Sequence, residues 1–87
     1  MTTISIRFVN ASGSPVHIQV DPWAGVYTLA KGKEIEIVAE SETTSPEFKI
    51  EEYGDTRILT ILHSSDYFVV RDGKRVHWTE YQADYTG

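Results

Sequence analysis

Three histidines are the first residues in this sequence that could do chemistry: His17, His63 and His77. A zinc site needs three or four ligands that converge on the ion, and such ligands usually come at short sequence spacings. The gaps between these histidines are wide, and the strand pattern turns His17 away from the apolar face of its own segment. The chain contains no cysteine, so thiolate ligands are excluded as well. We expect unrelated histidines at surface or edge positions, with no metal site and no other cofactor.

The segment His63-Ser64-Ser65-Asp66 contains the residue types of a hydrolase triad. A triad is defined by geometry, because its three side chains must converge beside an oxyanion hole. Neighbours in a tight turn do not point at one another in that way, whereas serine and aspartate in turns bond the local backbone. We therefore expect turn formers here, no catalytic residue, and a protein that is not an enzyme.

Acidic side chains crowd the middle of the chain. Seven glutamates form this run: Glu34, Glu36, Glu40, Glu42, Glu47, Glu51 and Glu52. A catalytic acid–base pair would need a pocket that perturbs one of the two pKa values. We expect a solvated outer face instead. The alternatives are a docking surface for a basic partner and a charged guard that discourages pairing at strand edges.

Aromatic residues offer the clearest binding chemistry. Four of them are candidate binding residues: Trp23, Trp78, Tyr81 and Tyr85. Trp23 lies in a turn, where its ring either closes one end of the fold or stands out as a platform. Thr79 and Gln82 fit a capping box, which predicts a single helical turn in the aromatic tail, residues 79–87. The tail rings either lie back over the edge of the core or form a patch for a protein or a sugar.

The charge and the composition exclude several classes of partner. The net charge is −5, with 13 acidic and 8 basic residues, and the basic residues are scattered. Because phosphate backbones and anionic membranes attract clustered Lys and Arg, we expect neither nucleic acid nor a membrane as ligand. The first residues lack a basic region followed by an apolar run, and no apolar stretch approaches a membrane span. Small secreted domains usually carry disulfides, so the lack of cysteine predicts the cytoplasm.

The elements that must position these residues are strands. Apolar and polar residues alternate repeatedly, and no long segment shows a helical period. The runs 4–8 and 16–20 are predicted to form a hairpin, and the apolar run Arg57–Leu62 a central strand covered on both faces. Asp72-Gly73 is the strongest hairpin signal, because both central residues of a type I′ turn need positive φ. Constant parity predicts ten core residues: Ile6, Phe8, Val16, Ile18, Ile35, Ile37, Phe48, Ile50, Ile61 and Phe68.

These patterns predict an all-β protein of one domain, residues 1–87, with residues 79–87 as a C-terminal tail. Short strands with turns every 8–12 residues are typical of a sandwich or a small barrel. We expect a small antiparallel β-sandwich of about seven to eight strands, with a Greek key as one topology and a barrel as the alternative.

The Asp21-Pro22-Trp23 turn, the Tyr27-x-Leu29 pair, the Glu34–Ala39 strand and the Arg71-Asp72-Gly73 hairpin together resemble a group of small uncharacterised bacterial proteins. The resemblance covers most of the chain, although Ala24 separates Pro22-Trp23 from the glycine that directly follows it in the group. It implies a bacterial, cytoplasmic, all-β protein. It implies no activity and no site residue.

The function expected from these observations is a non-catalytic protein-interaction module that uses the aromatic tail, the Trp23 turn or an exposed strand edge. One alternative is a domain that binds a small ligand or carbohydrate on its exposed aromatics. Another is an acidic inhibitor that mimics nucleic acid. Val76 and Trp78 crowd the end of the last hairpin with the tail tyrosines, so we also expect that a homodimer could form there.

Overall fold

The computed structural model describes residues 1–80, which form eight β-strands in two four-stranded sheets. The strands are β1 (Thr2–Val9), β2 (Val16–Asp21), β3 (Gly25–Leu29), β4 (Glu34–Ser41), β5 (Glu47–Tyr53), β6 (Thr56–Leu62), β7 (Asp66–Arg71) and β8 (Lys74–His77). The strand order is β1-β4-β7-β8 in the first sheet and β3-β2-β6-β5 in the second. The predicted all-β sandwich is confirmed, and the described strands close no barrel. Among the strand pairs, β2 and β6 run parallel.

Three tight hairpins join β2 to β3, β5 to β6 and β7 to β8, and the other connections cross between the sheets. The predicted hairpin between the first two strands is wrong, because β1 pairs with β4 instead. The reason is Asn10, which is buried after β1 and donates from its amide nitrogen to the carbonyl oxygens of Ser14 and Leu29. These bonds anchor the connecting segment at the end of the sandwich, from which the chain enters the opposite sheet.

The two turns richest in Gly and Asp behave as the sequence predicts. Asp72 and Gly73 have φ values of 53° and 78°, and they join β7 to β8 as a hairpin. Gly54, with φ of 59°, turns the chain between β5 and β6. The prediction that Arg57–Leu62 is a central strand is also confirmed, since β6 lies between β2 and β5. The prediction that both of its faces are covered is wrong, because its outer face is left to solvent and Leu62 is 38 % exposed.

The core lies between the sheets. Of the ten predicted core residues, four are fully buried (Ile18, Ile35, Ile37 and Ile61) and four pack against them half-buried (Ile6, Phe8, Val16 and Phe48). The prediction for Phe68 is wrong, because β7 turns Tyr67 and Val69 inward. Phe68 lies on the outer face of the first sheet, where the Arg75 guanidinium covers its ring at 4.3 Å.

The prediction for Ile50 is also wrong, since 44 % of this residue is exposed. Its side chain does face inward as predicted, because it lies opposite Leu59, which is fully buried. The exposure follows from an offset between the sheets. Tyr27 of β3 and Tyr67 of β7 share a hydroxyl–hydroxyl hydrogen bond of 2.8 Å, which places β3 opposite β7. From this contact, the strand orders and the cavity that Phe8 of β1 shares with Ile18 of β2, we infer that β6 faces β1 and that β5 extends beyond the edge of the first sheet.

Candidate functional site

Two of the predicted binding residues, Trp23 and Trp78, come together at one end of the sandwich. Trp23 lies in the β2–β3 turn and Trp78 directly follows β8, with 6.3 Å between their ring centroids. Tyr67 stacks on Trp78 at 6.1 Å and meets Trp23 edge-on at 5.0 Å. Both indoles are half-buried and pack against the core, so Trp23 closes this end of the fold and still presents part of its ring.

The other two predicted binding residues, Tyr81 and Tyr85, lie outside the described residues, as does most of the tail of residues 79–87. The predicted helical turn at Thr79 and Gln82 lies partly in that segment as well. A binding role for the four aromatics stays a prediction.

A carboxylate that the sequence did not single out for this role orders the indole of Trp78. Asp66 accepts a hydrogen bond of 2.8 Å from the Trp78 indole nitrogen and one of 3.0 Å from the Tyr67 backbone N–H. His77 Nε2 lies 2.6 Å from the same carboxylate. His77 Nδ1 lies 2.6 Å from the Thr79 hydroxyl and 3.3 Å from the Thr79 backbone nitrogen. This hydrogen-bond network therefore holds the indole of Trp78, one of the predicted binding residues, in place.

The remaining candidates for catalysis and metal binding are dispersed. His63 is exposed, His17 bonds the Thr28 hydroxyl, and no group of three His, Cys, Asp or Glu side chains within residues 1–80 could hold a metal ion. The Ser64 hydroxyl lies 2.7 Å from the carbonyl oxygens of both Glu40 and Asp66, as expected for a turn former. The segment His63-Ser64-Ser65-Asp66 therefore does not form a catalytic triad.

The acidic run does not form a single face, because its two strands lie in different sheets. Glu40 of β4 accepts a 2.8 Å hydrogen bond from Arg75, and Glu52 of β5 lies 3.3 Å from Arg57. Glu51 accepts a hydrogen bond from the exposed Tyr53 hydroxyl. This bond and the carboxylate's charge raise the pKa of Tyr53 above its ordinary value.

The open edge of β1 is the second candidate site, and its unpaired backbone groups can be identified. The Asn10 N–H bonds the Lys33 carbonyl, so the residue after β1 points its polar groups at the β4 side. In an antiparallel ladder this direction alternates along the strand. The backbone groups of Thr3, Ser5 and Arg7 therefore point away from β4, the only strand of residues 1–80 that pairs with β1.

The other three edge strands are protected in ways that β1 is not. β5 carries four charged residues in seven, and β8 has only four residues, of which two are Lys74 and Arg75. In β3, five residues long, the Thr28 carbonyl accepts a hydrogen bond from Arg71. β1 has eight residues and one charge, Arg7. Charged side chains and shortness are the usual protections of an edge, so β1 is the least protected of the four.

The offset of the sheets gives this edge an apolar floor. A strand added beside β1 would lie over the overhanging β5, whose inward side chains are Phe48 and Ile50. Ile4 and Ile6 of β1 are half-buried on the same inner layer and would flank the added strand. We name the space bordered by β1 and floored by β5 the β1 slot. It combines backbone hydrogen-bonding groups with an apolar surface, which is what an extended peptide needs.

A separate cavity of about 270 Å³ lies between the sheets at the end of the sandwich where β1 ends. Phe8, Val16, Ile18 and Leu29 supply its apolar walls, and Arg57 supplies its charged group. The segment after β1, which includes Ala11, forms its rim.

Comparisons of the chain with protein-family models, with curated proteins and with solved structures gave no match. Between residues 1 and 80 there is also no helix that could span a membrane.

Proposed function

We propose that this protein is a non-catalytic protein-interaction module that binds an extended strand of its partner in the β1 slot. The observation that carries the proposal is Ile50, which shares the inward face of the fully buried Leu59 and is nevertheless 44 % exposed. An added strand would bond the outward backbone groups of β1 and cover this side chain. Both gains come from one binding event, which is the usual basis of recognition by strand addition.

The partner strand that fits the slot has alternating chemistry. Its inward side chains are apolar, because they meet Phe48 and Ile50. Its outward side chains are polar, because they lie beside the exposed Thr3, Ser5 and Arg7 of β1, and Arg7 already lies 4.0 Å from Glu34. A second copy is a poor occupant. If two copies paired through β1, their overhanging β5 strands would meet in the same space between the sheets.

The test uses a random octapeptide library displayed on phage and four variants. Ser5→Pro removes one outward N–H and leaves the β4 ladder intact, a position at which sheet edges accept proline. Ser5→Ala keeps that N–H and serves as its control. Ile50→Lys places a charge on the floor of the slot. Leu62→Lys changes an exposed apolar residue on the outer face of the second sheet and serves as the second control.

We expect the selected peptides to bind the wild type, Ser5→Ala and Leu62→Lys, and to lose binding to Ser5→Pro and Ile50→Lys. Circular dichroism would establish that each variant is folded. Peptides that bind Ser5→Pro and Ile50→Lys as well as the wild type would refute the proposal, and so would a library that yields no binder.

The same proposal includes the location and the kinship of the protein. The lack of cysteine supports a cytoplasmic location, and the Pro22-Trp23 turn with the Arg71-Asp72-Gly73 hairpin supports kinship with the bacterial group that the sequence resembles.

A homodimer through the β7–β8 hairpin and the tail is a separate interaction from the β1 slot, since β8 lies at the opposite edge of its sheet. Sedimentation at high micromolar concentration tests it, and a monomer there would refute it.

A further inference from the structure

We infer that the cavity at the end of β1 is a binding site for a small apolar monocarboxylate. The walls are apolar, and the half-buried Phe8 and Val16 would contact the hydrocarbon part of a ligand, with the fully buried Ile18 and Leu29 behind them. A volume of about 270 Å³ corresponds to about nine water molecules at roughly 30 Å³ each. An acid of seven to nine non-hydrogen atoms, such as 4-methylpentanoate, is the size that fits.

The polar groups around the cavity leave one ligand-binding cation. Asn10 donates to Ser14 and Leu29 and accepts from Ser12, so its side chain is committed to the fold. Arg57 is different. Its Nη1 donates to the Gly54 carbonyl at 3.0 Å and its Nε lies 3.3 Å from Glu52, which together hold the guanidinium in place.

The third guanidinium nitrogen of Arg57, Nη2, makes no hydrogen bond to any residue from 1 to 80. A guanidinium binds carboxylate more strongly than it binds a neutral acceptor. The side chain is 28 % exposed, so an ion pair at the cavity mouth is only partly screened by water. The Arg57 guanidinium, held in place beside an apolar cavity, therefore favours a ligand with one carboxylate and an apolar body.

A substitution of Glu52 distinguishes acidic, basic and neutral ligands. Its carboxylate is 69 % exposed and lies 3.3 Å from Arg57 Nε, so its negative charge repels an anion that approaches the guanidinium. Glu52→Gln should therefore tighten the binding of an acid. The same change should weaken the binding of an amine and leave the binding of a neutral amide unchanged.

The experiment titrates the full chain with 4-methylpentanoate, 4-methylpentanamide and 4-methylpentylamine and follows the backbone amide shifts by NMR. We expect the acid to bind with a Kd of about 1 mM or tighter and the amide about tenfold more weakly. Shifts should centre on the 8–16 segment and on Arg57. Arg57→Gln should abolish the preference for the acid, whereas the matched control Arg75→Gln, on the outer face of the first sheet, should keep it.

Two further variants keep the test decisive if Arg57→Gln does not fold. Ala11→Trp, at an exposed rim position, should block the cavity, and Glu52→Gln should tighten the acid. A hexapeptide with a C-terminal leucine carboxylate separates a free acid from the end of a partner chain. If only this peptide binds, with shifts along β1, the β1 slot holds and the cavity inference falls. Equal binding of acid and amide, or shifts centred on Trp23 and Trp78, would overturn it.

Discussion

Gly25→Ala is the substitution to which the packing between the sheets should be most sensitive. A Cβ at position 25 would lie 2.8 Å from the Tyr67 hydroxyl oxygen and 2.9 Å from that of Tyr27, closer than real Cβ atoms come to other atoms. The two hydroxyls are bonded to each other at 2.8 Å, and each tyrosine is only 1 % exposed. Neither ring can move aside without disturbing the core, so the added methyl group has no space.

The expected cost of this substitution follows from overpacking. Extra carbon atoms forced into a well-packed core typically cost about 1–3 kcal/mol. A domain of 87 residues has a free energy of unfolding of roughly 4–13 kcal/mol, at about 0.05–0.15 kcal/mol per residue. Each kcal/mol lowers the melting temperature of a domain this size by about 4–8 °C. Gly25→Ala should therefore lower the melting temperature by roughly 5–20 °C.

The assay is urea unfolding of four proteins: wild type, Gly25→Ala, Tyr67→Phe and the double variant. Because Tyr67→Phe removes the oxygen nearest to the new Cβ, the double variant should lose less stability than the sum of the two single losses, by about 1 kcal/mol. Gly13→Ala is the matched control, because nothing lies within 4 Å of its added Cβ. A loss below about 0.5 kcal/mol for Gly25→Ala would show that the tyrosine pair yields, and the reasoning would be refuted.

Three other outcomes test the remaining arguments. Gly73→Ala should destabilise the fold by about 1 kcal/mol in urea unfolding, because φ there is 78°, and a smaller loss than for Gly13→Ala would contradict the turn assignment. Glu51→Gln should lower the pKa of Tyr53, followed by NMR of that ring, since it weakens the hydrogen bond that the Tyr53 hydroxyl donates and removes the charge that opposes the phenolate, and an unchanged pKa would refute these causes. Micromolar zinc or copper should leave the melting temperature unchanged, and a rise abolished by His17→Ala or His63→Ala would show a metal site.

The sequence predicts the fold well where one strand or one turn contains all the information. Asp72-Gly73 allows few structures other than a hairpin, and the structure has the expected positive φ values there. The alternation in β4 places Ile35 and Ile37 in the core for the same local reason. The run Tyr67–Val70 is apolar throughout, so alternation cannot select its inward face, and the prediction for Phe68 failed there.

Strand pairing was harder to predict, because it depends on residues far apart in the chain. The turn chemistry between the first two strands suggested a hairpin, whereas the structure uses Asn10 to bond Leu29 and to lead the chain between the sheets. Nothing local to Asn10 identifies Leu29 as its partner. The Asp66–His77 contact is different, because reflection about the Asp72-Gly73 turn pairs Phe68 with His77 and brings Asp66 near the end of β8. That contact could have been found from the predicted hairpin.

The β1 slot shows why this candidate site could not be located from the sequence. Ile50 alternates correctly with its neighbours and lies opposite a buried leucine, so every local signal assigns it to the core. Its exposure comes from the alignment of one sheet over the other, which the Tyr27–Tyr67 hydrogen bond places with β3 opposite β7. With four strands in each sheet, we infer that this alignment leaves β5 beyond the β1 edge. A residue that is patterned for the core but left exposed by residues 1–80 fits a side chain that another strand buries, and this is the physical basis of the proposal that β1 binds a partner strand.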